Sequence, residues 1–169
     1  MKQLLIIITL AVLSSACGAS ARRGGAFSGS VRSLVPQQVG EFKLAGEVKA
    51  LDIVRPNEYQ GDAAPPTEGV SARYEAAGKT PLFFQVVNYR SAADAEHSLN
   101  QWKENVQKLG KGAKYSDAAV GAGPNAKPGI LVEGLAPGMH QAVWVDRSLV
   151  YLLAGDNLQS IQAFQQSLP

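Results

Sequence analysis

The chain has 169 residues, 46% hydrophobic and 18% charged, which suits one globular domain and argues against a disordered chain. Lys+Arg number 16 against 14 Asp+Glu, and a net charge of +2 leaves no electrostatic footprint for nucleic acid. A single Cys excludes an internal disulfide and a Cys-based zinc site.

Met1-Lys2-Gln3 is a short polar start with one positive charge, and Leu4 to Leu13 is apolar except for Thr9. As a helix this run spans about 15 Å, roughly half a hydrocarbon core, so it is too short for a stable membrane span. It reads as the n-region and h-region of a secretory signal, followed by the small residues Ser14 to Ser20.

Leu13-Ser14-Ser15-Ala16-Cys17 resembles the lipobox of bacterial lipoproteins. The resemblance covers residues 1–17 only. Ser14 stands where the stricter pattern has Leu, Val or Ile. The resemblance implies a signal peptide over 1–16, cleavage after Ala16, and a diacylglycerol (with palmitate-type acyl chains) on the Cys17 thiol. Two or three acyl chains would hold the protein on a membrane for good. Gly18, where an Asp would imply inner-membrane retention, implies the periplasmic face of the outer membrane. The open alternative is ordinary secretory cleavage at Ser14-x-Ala16 or Ala19-x-Ala21, which gives a soluble periplasmic or secreted protein.

Residues 17–33 are expected to be the lipidated Cys and a flexible Gly/Ser/Arg tether, with Arg22, Arg23 and Arg32 as possible headgroup contacts. Residues 34–169 are expected to form a single α+β domain. Phe42 and Leu44 alternate with Glu41 and Lys43 as a half-buried strand, continued over Val48 to Val54 after a break at Ala45-Gly46. Arg55 to Gly69 is a long Pro/Gly loop. Val70 to Ala76 and Leu82 to Tyr89 form a hairpin around Ala77-Gly78-Lys79.

Ser91 caps a helix, with Asp94 at capping-box spacing. Ala92, Ala95, Leu99, Trp102, Val106 and Leu109 put one apolar stripe on it, and Gly110 ends it. After a Gly121 to Gly129 loop come strands at Ile130–Val132, Gln141–Val145 and Leu149–Ala154, then a helix opening at Asp156 or Asn157. Both halves run hairpin, turn, helix. The expected fold is an antiparallel sheet of five to six strands with two helices on one face, two ββα-like halves sharing layout without duplication. This layout resembles small α+β domains of uncharacterised bacterial lipoproteins.

Motifs for chemistry are absent: the sequence holds no G-x-S-x-G, H-E-x-x-H, C-x-x-C or Walker A. Gly121-x-Gly123-x-x-Ala126 matches the dinucleotide spacing, but Pro124 and Lys127-Pro128-Gly129 stand where a phosphate-binding helix would start. His97 falls on the polar face of its helix. His140 is placed where Asp146 or Asp156 could join it in acid–base work, the basis of an alternative hydrolase reading. Asp52, Glu58, Asp62 and Glu68 lack the order of a calcium loop. Lys103, Lys108, Lys111 and Lys114 form a basic patch that complements the helix dipole.

The expectation is therefore a non-enzymatic, lipid-anchored binding or assembly module of the cell envelope, without catalytic residue, cofactor or metal. Its expected partners are the membrane, through Cys17, and an envelope protein. The alternative to an assembly role is a purely structural accessory subunit of an envelope complex. The candidate binding loop carries Tyr59, Asp62 and Glu68, an aromatic among prolines flanked by carboxylates.

Overall fold

Leu82-Phe83-Phe84-Gln85-Val86-Val87 is the most β-prone run in the chain, and it forms the middle of the sheet. The computed structural model describes residues 25–52, 64–109, 112–120, 127–134 and 136–168. Its strands are β1 (Gln38–Val39), β2 (Phe42–Leu44), β3 (Lys49–Ala50), β4 (Glu68–Glu75), β5 (Leu82–Asn88), β6 (Lys114–Val120), β7 (Lys127–Glu133), β8 (His140–Asp146) and β9 (Leu149–Gly155). The helices are α1 (Ala92–Leu109) and α2 (Leu158–Gln166).

All strands join one antiparallel sheet in the order β1-β2-β4-β5-β9-β8-β7-β6. β3 also pairs with β4, at Lys49↔Ser71, on the side of β4 that β2 occupies further along. β2 and β3 are thus two pieces of one interrupted edge strand. Gly46 (φ +79°) makes the break, a backbone region that L side chains rarely adopt. The α+β class and the antiparallel sheet agree with the expectation, but the sheet has nine strands among the described residues rather than five to six. The additional strands are short (β1, β3) or exposed along much of their length (β6), so they carry little hydrophobic pattern.

The helices do not share a face. Ala95, Leu99, Trp102 and Val106 of α1 pack on Ile130, Val132, Val143, Val145, Val150 and Leu152. Ile161 and Phe164 of α2 pack on the opposite set, which includes Tyr74, Phe84, Ala142, Trp144 and Leu153. Alternate residues of a strand point to opposite faces, so Ala142, Val143, Trp144 and Val145 are all buried. A two-fold axis normal to the sheet that carried β5 onto antiparallel β9 would keep both helices on one face. The two ββα halves are therefore not related by that axis.

Local signals placed both helices. Ser91 Oγ accepts the Asp94 N–H at 3.1 Å. The Asp94 carboxylate takes the Ser91 hydroxyl at 2.7 Å rather than the Ser91 backbone N–H, as the longer Glu of a capping box would. Asn157, not Asp156, caps α2, accepting the Ser160 N–H at 2.9 Å. The expected stop of α1 at Gly110 lies outside the described residues.

The packed chain begins before the expected boundary at Leu34. The turn Val31–Leu34 places Val31 in the core, fully buried, and Phe27 packs against the same cluster. Residues 27–33 thus belong to the domain and not to a tether. Their apolar side chains are too sparse to show a period, so only the tertiary contacts reveal them.

Candidate binding groove at the sheet edge

β6 ends the sheet among the described residues, and its outer edge faces no other strand there. α1 runs beside it. Together they form a groove of about 510 Å³ lined by Leu99 and Lys103 of α1, Asp117, Ala118 and Ala119 of β6, and Lys127 and Gly129 of β7. Small residues make the floor. At Gly129 a Cβ would lie 2.7 Å from the Val143 carbonyl oxygen and 2.8 Å from Trp144 Cβ, so the close approach of β7 to β8 requires glycine.

The rim carries charge in pairs. Lys103 Nζ lies 3.5 Å from Asp117 Oδ1 and 5.8 Å from the Tyr115 ring centroid. Lys127 Nζ lies 3.1 Å from Asp146 Oδ1. The Asp117 side chain is 88% exposed, so its ion pair is weak and exchangeable. Among the described residues the lining offers no nucleophile with an adjacent base, and the groove lies along the β6 edge, which faces no described strand.

Of the sequence-nominated residues, Cys17, Tyr59 and Asp62 lie outside the described residues. Glu68 opens β4, and its carboxylate accepts the Ser30 hydroxyl at 3.0 Å and the Val31 N–H at 3.2 Å. It holds the N-terminal segment on the sheet. His140 does not meet an Asp as its ion partner. Its Nδ1 faces Glu133 Oε1 at 3.5 Å across β7–β8, and Glu133 also meets Lys114 Nζ at 3.5 Å. Asp146 is at the other end of β8, and Asp156 accepts the Thr80 hydroxyl. The strand register separates His140 from Asp146, and although it sets His140 opposite Gly155, the neighbour of Asp156, the Asp156 carboxylate has Thr80 as its partner.

His97 is exposed on α1. The basic patch is matched ion by ion: Lys103 with Asp117, Lys108 with Glu104 at 3.5 Å, and Lys114 with Glu133, while Lys111 lies outside the described residues. Sequence reasoning missed β6 and hence the groove. Tyr115 and Ala113, two apart and packed against the α1 cluster, were its only faint signal.

No family model matches the chain, and no curated protein matches it. Among solved structures it is similar to a GTP-binding regulator from Thermotoga maritima, with 18% identity, 74% of this chain and 78% of that chain covered, and a TM-score of 0.44. It is also similar to the extracellular domain of PknH from Mycobacterium tuberculosis, with 18% identity, coverage of 79% and 84%, and a TM-score of 0.31. At these scores neither likeness carries an argument about function. No helix among the described residues is long and apolar enough to cross a membrane.

Proposed function

We propose that this chain is a lipid-anchored binding module of the bacterial cell envelope, attached through Cys17 and without catalytic activity of its own. The domain sits on the periplasmic face of the outer membrane and receives an extended segment of an envelope protein in the α1–β6 groove. The observation that carries the binding role is the groove itself, a small-residue floor beside a strand whose outer backbone groups face no described strand. The lipobox-like Leu13 to Cys17 supports the anchor.

Intact mass and palmitate labelling of the protein from its native cells test the anchor. A lipid adduct that disappears in Cys17→Ser, together with release from the membrane fraction, is the expected result. An unmodified, soluble protein overturns it. In-cell cross-linking tests the groove: Ala119→Arg, at an exposed floor position, should abolish capture of the partner that the parent protein captures, with unchanged melting temperature. Undiminished capture removes the groove from the reading.

A further inference from the structure

We infer that two copies of this chain pair through β6, edge to edge and antiparallel, about a two-fold axis at Ser116. This rests on the groove reading above and names its extended segment as β6 of a second copy. The two sides of the sheet end differently. Beside β4 the edge consists of two- and three-residue pieces, β1, β2 and β3, with Gly46 interrupting it. On the other side β6 is seven residues long, and all seven, Lys114 to Val120, pair with β7 in unbroken register. β6 holds no proline, no glycine and no bulge against β7. Proteins ordinarily blunt an edge of this length, because its row of unpaired backbone groups receives another strand. α1 packs on β6, β8 and β9, inboard of that edge.

The side chains select the partner and the register. A two-fold axis normal to the sheet keeps each face on its own side, so it must pass through one residue of β6. At Asp117 it would set two carboxylates directly opposite each other. At Ser116 it sets Lys114 against the partner's Ala118, and Tyr115 against the partner's Asp117, so each long side chain meets a shorter one. Lys103 Nζ lies over Tyr115, 5.8 Å from the ring centroid, and 3.5 Å from Asp117 Oδ1. The 88% exposed Asp117 side chain therefore stands between its own Lys103 and the partner's Lys103, and the four charges alternate in sign. Axes at Tyr115 or Ala118 set Asp117 against alanine, further from the second lysine. Around the seam, among the described residues, Lys103, Lys108, Lys114 and Lys127 are matched within 3.5 Å by Asp117, Glu104, Glu133 and Asp146. His140 adds its own contact to Glu133. Two such surfaces meet without net repulsion.

The test uses the full chain carrying Cys17→Ser, so that an introduced thiol is the only one. On oxidation with copper–phenanthroline, Ser116→Cys should link to its own copy. Lys114→Cys should link to Ala118→Cys but not to itself, because Cα atoms more than about 7 Å apart cannot be bridged. Sedimentation equilibrium reads the unlinked dimer. Asp117→Lys should weaken it at least about tenfold, by setting like charges together. Adding Lys103→Glu to that variant should restore the parent value, and melting temperatures show that each variant is folded. A chain that stays monomeric and does not link at 116 overturns the inference. So does equal self-linking at 114, 116 and 118, or a dimer indifferent to Asp117→Lys. The groove reading is scored apart from this: if Ala119→Arg still abolishes capture of a different envelope protein, the groove stands and only the second copy falls.

Discussion

Trp144 and Tyr151 stack face to face across β8 and β9, with ring centroids 5.1 Å apart and planes 4° apart. Phe84 of β5 joins both at 6.1 Å, and Phe164 of α2 closes over Phe84 at 5.6 Å. This aromatic layer ties the two halves of the sheet to α2. Trp144→Ala should lower stability by about 3–5 kcal/mol, and Trp144→Phe by clearly less. Chemical denaturation of the two variants checks the order. Equal losses would mean that the layer relaxes around the gap.

Gly129 backs this layer from β7. Its substitution by Ala forces a Cβ against the Val143 carbonyl, which cannot swing aside, and against Trp144 Cβ. Gly129→Ala should destabilise by about 1–3 kcal/mol, although Ala is usually the better residue in a strand. A melting temperature unchanged from the parent would contradict the crowding.

Ser148 and Asn88 clasp the Phe27 N–H and carbonyl, which predicts local rather than global loss. Ser148 is fully buried, and Ser148→Ala strands the Phe27 N–H and Asn88 Oδ1. The cost should be about 1–3 kcal/mol, felt first as freeing of residues 25–35. Hydrogen exchange across that segment should accelerate well before the sheet exchanges.

High pH should weaken the fold through the tyrosines. Burial, with the Asp146 charge adding to it and Arg147 opposing it, pushes the Tyr151 phenol up to about 12. Burial also raises Tyr74, whose hydroxyl donates to the Pro36 carbonyl at 2.6 Å. The unfolded phenols lose their protons near pH 10 while the folded ones keep them, so stability is full below pH 10 and falls as pH rises towards 12. Tyr151→Phe should flatten this decline, as read from denaturation midpoints at pH 9 to 12.

Much of the fold was legible because it is written in short-range signals. Phe42 and Leu44, the Leu82–Tyr89 run, the α1 stripe and the α2 caps each express a period or a cap within a few residues. β6 was illegible because Lys114, Ser116, Asp117 and Ala119 are exposed and carry no hydrophobic alternation. Glu68 was read as a loop carboxylate. Its partners Ser30 and Val31 lie 38 and 37 positions away, a distance over which sequence patterns are silent.

By itself the sequence determined the α+β class, the hairpins, both helices and their buried stripes, because side-chain period and capping act locally. Only the tertiary structure decided that α1 and α2 cover opposite faces, since either face of a sheet with apolar residues on both sides can receive a helix. It alone paired His140 with Glu133, because strand register, not residue type, sets which side chains meet. It also drew residues 27–33 into the domain, where hydrogen bonds to Ser148, Asn88 and Glu68 compensate for a segment too polar to announce itself.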